Sequence, residues 1–241
     1  MAIITCWAAK GGSGTTVVAA GLALATEHPS VIVDLAGDQA AALGLPEPLG
    51  QGLSEWFASD ADPSSIVDLA VDVDSSTASV HRGASPIRPD ADRWGDLAAW
   101  MAADHRLFVV DAGTTPSPPP ALVRDGVDHR DGSSDGGDTT IGILVTRPCY
   151  LSLRRASAAR IRPSGVIVVN DGGHALGRSD VARSVGAPVL AEVRFDPAVS
   201  RAVDAGLLVF NLPGGFLKPL RRVVLEHVGI ERPASRPRLS A

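Results

Sequence analysis

The stretch Lys10–Thr16, KGGSGTT, lies between two apolar segments and decides the fold. The residues before it, 2–8, read as a short buried strand with β-forming side chains. The residues after it, 17–26, are apolar and rich in alanine, which predicts a helix covered on most of its sides. A strand, a glycine-rich loop and a buried helix in this order open a parallel α/β fold.

The rest of the chain repeats this alternation. Further strands are predicted at 30–33, 78–81, 107–110, 141–145, 166–169 and 189–193. Helices are predicted at 38–45, 53–59, 94–103, 151–160, 179–185, 198–205 and 217–228. Continuous apolar strands separated by helices predict an α/β three-layer sandwich with a mostly parallel, doubly wound sheet.

The domain organisation follows from composition. We expect one domain over residues 1–230. Residues 114–138 are rich in Pro, Gly and Asp, which predicts a flexible surface loop outside the core. Residues 231–241 are rich in Pro, Ser and Arg, which predicts a disordered tail.

Polar residues follow three of the predicted strands directly. Asp34, Asp111 and Asn170 each stand at the carboxyl end of an apolar run. The glycine-rich loop follows the first strand in the same way. Since ligands of open α/β sheets bind at the carboxyl ends of the strands, we expect these residues to surround one ligand site.

The glycines indicate what that ligand is. Gly11, Gly12 and Gly14 allow backbone N–H groups to point at an anion, and the following helix N-terminus favours negative charge. Thr16 stands where a hydroxyl binds Mg²⁺ in the pattern G-x-x-x-x-G-K-[ST]. Thr15, however, replaces the lysine of that pattern. A glycine-rich turn without a ligand is the alternative.

Composition excludes several classes of protein. Hydrophobic residues make up 45% of the 241 residues, which suffices for one sizeable core. The net charge of −5 argues against a protein that binds polyanions over its whole surface. Two cysteines do not make a secreted disulfide framework, so we expect a reduced, cytoplasmic setting. Of the 22 basic residues only Lys10 and Lys218 are lysine, so a lysine beside paired glycines stands out.

The loop K-G-G-x-G-x-T resembles the deviant Walker A loop of the ParA/MinD family of P-loop ATPases. Other segments resemble that family too: the second strand ending in Asp34, a Walker B strand ending in Asp111, a strand followed by Asn170, and the late segment starting at Phe195. The resemblance covers roughly residues 2–228. In this family the early lysine reaches the nucleotide of the partner in a dimer.

The resemblance implies roles for individual residues. ATP or ADP would contact Lys10, Gly11, Gly12, Ser13, Gly14, Thr15, Thr16, Asn170, Phe195, Asp196 and Pro197. Mg²⁺ would be held by Thr16, Asp34 and Asp111. The catalytic roles would fall to Lys10 and Asp38.

Two departures from the family pattern concern hydrolysis. Thr15 stands where the Walker A lysine is normally found, and Ala36 stands where many members carry a second Asp that orients the attacking water. Asp38 lies two residues further on and would serve only if the loop shifts. Each loss is worth on the order of 10²-fold in rate, so we expect slow hydrolysis or none.

The function implied is a nucleotide-dependent homodimer that positions a partner protein in the cell. The lysine-poor loop resembles the pilus and secretion branch (TadZ/CpaE-like), while division-site selection, as in the septum-site-determining branch, and DNA segregation are the sister roles. A scaffold that never turns over nucleotide is the rival hypothesis. An unrelated α/β enzyme that binds another phosphorylated ligand is the third.

Two surface features remain open. Five arginines follow one another without an acidic residue between them: Arg147, Arg154, Arg155, Arg160 and Arg162. They would allow non-specific DNA binding, and an ordinary solvated surface is the alternative. The segment Phe216–Val228 is amphipathic, as in relatives that bind membranes, but the favoured interpretation is the closing helix of the domain.

Overall fold

The computed structural model describes residues 2–87, 91–123 and 139–228. Eight strands form one sheet in the order β3-β4-β2-β5-β1-β6-β7-β8. Their bounds are β1 Ala2–Ala8, β2 Ser30–Asp34, β3 Val71–Asp72, β4 Thr77–Val80, β5 Leu107–Thr114, β6 Thr139–Thr146, β7 Gly165–Asn170 and β8 Val189–Arg194. Within these ranges every strand pair is parallel except β3 with β4. The predicted parallel sheet is confirmed.

The helices lie on both faces of the sheet. Their bounds are α1 Thr15–Leu24, α2 Gln39–Leu43, α3 Leu53–Phe57, α4 Ala91–Ala103, α5 Tyr150–Ser157, α6 Arg178–Val185, α7 Pro197–Asp204 and α8 Gly214–His227. Two 3₁₀-helices occupy Pro63–Leu69 and Pro120–Leu122. One buried cluster joins α1, α2, α7 and α8 to one face, and two clusters cover the other, which gives the predicted three layers.

The alternation of side chains along the strands decides which residues meet α1. Ile32 of β2 and Val109 of β5 pack in the cluster that contains α1. Since side chains two residues apart point to the same face, Asp34 and Asp111 also point toward α1. The two strands pair with Asp34 opposite Asp111. The fold therefore brings two carboxylates together under the first turn of α1.

Part of the predicted surface loop belongs to the core, contrary to expectation. Leu122 is completely buried and Val123 is 8% exposed. The hydroxyl of Thr5, in β1, donates a hydrogen bond to the carbonyl oxygen of Leu122. Proline supplies the 3₁₀ turn here and leucine the apolar contact. Residues 124–138 of the predicted loop and the predicted tail, 231–241, lie outside the described residues.

Candidate functional site

The glycine-rich loop leaves open space in front of its backbone. Gly12 and Gly14 have φ of 75° and 86°, a region that favours glycine, and Gly14 is the N-cap of α1. A Cβ added at Gly12 would meet nothing within 4 Å, and one at Gly14 would come no closer than 3.7 Å, to Val169. The hydroxyl of Ser13 donates to the carbonyl oxygen of Lys10 at 2.7 Å, which closes the turn. Among the described residues, therefore, no side chain lies within 4 Å of the Cβ position at Gly12, and only Val169 does so at Gly14.

The two residues in question for the Walker A pattern lie in different surroundings. Lys10 is half-buried, and its Nζ donates to the carbonyl oxygen of Gly11 at 3.3 Å. Thr15 is 7% exposed, so its short side chain is enclosed at the start of α1. A threonine there supplies no positive charge for a phosphate. Within the loop, Lys10 is therefore the residue that supplies an ammonium group.

Asp34 and Asp111 form the acidic part of the site. Asp34 is 1% exposed and accepts N–H bonds from Gly37 at 2.7 Å and Gln39 at 3.0 Å. Asp111 is completely buried, accepts an N–H bond from Gly113 at 3.0 Å and interacts with the hydroxyl of Thr16. The predicted Mg²⁺ residues Thr16, Asp34 and Asp111 thus lie together.

Burial sets the protonation of both carboxyls. Burial, and next the charge of Asp34, raise the pKa of Asp111 to about 6, although bonds from Thr16, Gly113 and Gln39 act in the other direction. Burial likewise raises the pKa of Asp34, opposed by backbone N–H bonds from Gln39 and Gly37. The charge of Asp38 adds to the rise at Asp34, so both carboxyl groups are costly to ionise, Asp111 partly because of Asp34.

This arrangement predicts an unusual dependence of stability on pH in the presence of EDTA. The pKa of Asp111 rises from an ordinary 3.8 to about 6 on folding, so the folded chain keeps a proton that the unfolded chain releases. The free energy of unfolding should therefore fall as pH rises from 4 to 6, by up to about 3 kcal/mol. Urea denaturation at pH 4.5, 5.5 and 7 measures it. Asp34, with its pKa also raised, contributes with the same sign.

Asp111→Asn is the matched control because it does not titrate. Its stability should change less across this window than that of the native chain. Glu55, whose pKa is lowered from 4.5 to about 2 mainly by the backbone N–H of Gly52, acts with the opposite sign and mostly below pH 5, and it does so equally in the native chain and in Asp111→Asn. Identical profiles for the native chain and Asp111→Asn would contradict the assignment of the proton to Asp111.

Sequence reasoning missed Gln39, which is the first residue of α2. Gln39 is completely buried, whereas the neighbouring Asp38, predicted as a catalytic residue, has an exposed side chain. The side-chain Nε2 of Gln39 donates to Asp111 Oδ2 at 2.9 Å and to the carbonyl oxygen of Thr16 at 3.0 Å. A glutamine three residues after Ala36 carries no local signal for this contact.

The donor set fits Mg²⁺. The described residues contain no group of three or more His, Cys, Asp or Glu side chains that could hold a metal by themselves. Mg²⁺ usually keeps several waters and binds one or two carboxylates together with substrate phosphates. Asp34, Asp111 and the Thr16 hydroxyl supply such a set beside an open anion loop. A cation would also relieve the repulsion between the two buried carboxylates.

A cavity of about 290 Å³ adjoins the glycine-rich loop; we call it the loop cavity. Gly12, Gly14 and Val17 line it on one side, and Phe195 and Asp196 on another. The Asp196 carboxylate caps α7 by accepting from the N–H of Ala198 at 2.8 Å, and Pro197 occupies the first position of α7. The late segment predicted to contact nucleotide therefore shares a cavity with the loop.

Asn170 lies in a second cavity of about 470 Å³, which shares Arg194 and Phe195 with the loop cavity. Its amide group is already hydrogen-bonded: Nδ2 donates to Glu192 Oε1 at 2.6 Å, and Oδ1 accepts from the N–H of Gly172 at 2.9 Å. A direct contact of Asn170 with a base stays a prediction.

The basic run divides into two parts. Arg147 Nη1 lies 2.8 Å from Asp171 Oδ2 and lines the loop cavity. Arg154 and Arg155 are exposed in the last turn of α5. DNA binding by these exposed arginines stays a prediction.

The closing helix α8 packs against the body of the domain. Phe216, Leu220, Val223 and Val224 are buried in the cluster that contains α1. Among the described residues no helix combines the length and the apolar character needed to cross a bilayer.

Solved structures with the same architecture are known. A ParA family ATPase from Chlorobium tepidum aligns with 92% of this chain and 97% of its own, with a TM-score of 0.70 at 19% identity. The septum site-determining protein MinD of Pyrococcus horikoshii, complexed with Mg-ADP, aligns with 95% of this chain and 98% of its own, with a TM-score of 0.70 at 16% identity. The MinD cell division protein of Aquifex aeolicus aligns with 98% of this chain and 100% of its own, with a TM-score of 0.72 at 14% identity.

At these identities the likeness concerns the fold. No protein-family model and no curated protein sequence matches the chain. The likeness nevertheless extends over nearly the whole length of both partners in each comparison. The chain therefore has the fold of the ParA and MinD ATPases.

Proposed function

We propose that the chain binds ATP or ADP with Mg²⁺ and dimerises when nucleotide is bound, with slow hydrolysis or none. The observation that carries this proposal is the open glycine-rich loop beside two buried carboxylates and the loop cavity. Backbone amides of such a loop bind phosphates, and the helix dipole adds to this. The bound Mg²⁺ would neutralise phosphate charge next to Asp34 and Asp111.

Weak hydrolysis follows from the charges that the site lacks. The enclosed Thr15 offers no ammonium to the phosphates. Ala36 lies against Gly113, since its Cβ is 2.9 Å from where a Cβ of Gly113 would stand, and it offers no carboxylate for water. Phosphoryl transfer depends on positioning and charge stabilisation, and both are reduced here.

Dimerisation would supply the missing charge. The Lys10 ammonium donates one long hydrogen bond, to the carbonyl oxygen of the neighbouring Gly11 at 3.3 Å, so it would lose little by binding a phosphate of a second copy. Such a charge-assisted bond is worth about 1.5–3 kcal/mol. The proposed role of the dimer is to position a partner protein, with pilus or secretion machinery, the division site and DNA as the candidate settings.

The test is the replacement of Lys10, with Lys218→Ala as the matched control. Lys218 is the only other lysine in the chain and is exposed on α8. Lys10→Ala should weaken Mg-ATP-dependent dimerisation by about 10²–10⁴-fold in Kd, measured by analytical ultracentrifugation, because a symmetric dimer loses two such bonds. Lys218→Ala should behave as the native chain.

Two other results would contradict the proposal. If Lys10→Ala changes neither dimerisation nor Mg-ATP affinity, the role of Lys10 across the dimer is wrong. If the native chain binds no Mg-ATP in calorimetry, the protein is a scaffold with a P-loop architecture and the nucleotide proposal fails.

A further inference from the structure

Gln39 connects every acidic and helical part of the proposed Mg²⁺ site. Its backbone N–H donates to Asp34 Oδ2 at 3.0 Å. Its side-chain Nε2 donates to Asp111 Oδ2 at 2.9 Å and to the carbonyl oxygen of Thr16 at 3.0 Å. One completely buried residue thus contacts both carboxylates and the first turn of α1.

The other end of the same carboxamide lacks a partner. Gln39 Oε1 is buried and accepts no hydrogen bond from any residue in the described ranges. Leaving a buried carbonyl oxygen unpaired costs about 1–3 kcal/mol. Rotating the amide by 180° does not solve this, because Oε1 would then face the Asp111 carboxylate and the Thr16 carbonyl oxygen, which are both acceptors.

An unpaired acceptor at this position points to a ligand. It belongs to a side chain that touches two carboxylates, where a cation is electrostatically favoured. Waters bound to Mg²⁺ are strong hydrogen-bond donors, and Mg²⁺ usually keeps several of them in proteins. Groups that hold such ligands in place strongly affect metal affinity.

We propose that Gln39 is a positioning residue of the Mg²⁺ site, with Nε2 holding Asp111 at Thr16 and Oε1 accepting a hydrogen bond from a water on the cation. This inference rests on the proposed function. In this arrangement Gln39 supplies a side-chain oxygen that Ala36 lacks, and both residues lie in the segment after β2.

Two substitutions separate this role from a purely structural one. Gln39→Met keeps the length of the side chain and removes its donors and its acceptor. Gln39→Glu keeps the shape but replaces the donor with a second acceptor. Gln51, the only other glutamine, is exposed, so Gln51→Met and Gln51→Glu are the matched controls.

The measurement is the Mg²⁺ affinity in the presence of saturating ADP, from thermal shifts during a MgCl₂ titration. Gln39→Met should bind Mg²⁺ about 10–100-fold more weakly than the native chain. Gln39→Glu should be less stable than the native chain in EDTA, because it adds a carboxylate beside Asp111, and should regain stability with Mg²⁺. Both Gln51 variants should match the native chain.

A structural clamp alone predicts something else. Both Gln39 variants would then lose the same stability with and without Mg²⁺, and their Mg²⁺ affinities would equal that of the native chain. This result overturns the inference and leaves the proposed function intact. If the native chain itself shows no shift with MgCl₂ and ADP, the proposed function fails and the inference fails with it.

The native chain provides a measurement that does not depend on variants that fold. Labelling with ¹⁵N-glutamine gives side-chain amide signals from two residues only, Gln39 and Gln51. Addition of MgCl₂ to the ADP-bound chain should shift the Gln39 amide signals and leave those of Gln51 in place. An unchanged Gln39 amide in a chain that binds Mg-ADP overturns the inference.

Discussion

Gly44→Ala is expected to lower the free energy of unfolding by about 2–5 kcal/mol. Gly44 caps the C-terminus of α2 with φ of 74°, where an L-residue costs about 1–2 kcal/mol. An added Cβ would lie 1.9 Å from the carbonyl oxygen of Gly206, in the turn after α7. Backbone atoms cannot rotate away, so α2 and α7 would have to separate, and overpacking of this kind costs about 1–3 kcal/mol more.

Substitutions of two other glycines, measured by urea denaturation, separate the backbone strain from the steric overlap with Gly206. Gly50 has φ of 101° but open space around it, so Gly50→Ala should show backbone strain alone. Gly95 lies in α4 with nothing within 4 Å of an added Cβ, so Gly95→Ala should stabilise the chain by about 0.5–1 kcal/mol. Equal losses for Gly44→Ala and Gly50→Ala would mean that the contact with Gly206 is not made.

Thr15→Lys combined with Ala36→Asp should raise the rate of ATP hydrolysis by about 10²-fold or more over the native chain. The lysine would supply an ammonium to the phosphates from the start of α1, and the aspartate would supply a carboxylate for the attacking water near the turn at Gly113. Each such group is typically worth on the order of 10²-fold. Steady-state phosphate release with saturating Mg-ATP measures the effect.

The controls separate charge from bulk. Thr15→Met has a long side chain without charge and should leave hydrolysis unchanged. Ala36→Asp places a third carboxylate near Asp34 and Asp111, whose pKa values burial already raises, so it should destabilise the chain in EDTA. If the double variant binds Mg-ATP and still does not hydrolyse it, the loop is not arranged for turnover and the scaffold hypothesis gains.

The central strands could be predicted because they are buried on both faces and therefore apolar throughout. Asp34 and Asp111 could be placed at one edge of the sheet for the same reason, since parallel strands end together. The edge strand β3 was missed because Val71 and Asp72 are both exposed and show no apolar run. The burial of Leu122 was missed because prolines dominate its surroundings, and composition does not reveal a distant contact such as that with Thr5.

The candidate site was predictable only where its chemistry is local in sequence. Glycine spacing identified the loop, and strand ends identified the carboxylates. Gln39 escaped because its partners Thr16 and Asp111 lie 23 and 72 positions away in sequence. The occupied amide of Asn170 escaped for a similar reason, since Glu192 approaches it from the neighbouring strand.

The short helix α2 is fastened at both of its ends. Gln39 holds its first turn to Asp111, and Gly44, directly after its last residue, meets Gly206 backbone to backbone. Five helical residues rise only about 7.5 Å, so this span has a fixed length. A foreign peptide therefore cannot be inserted between these two contacts without displacing one of them.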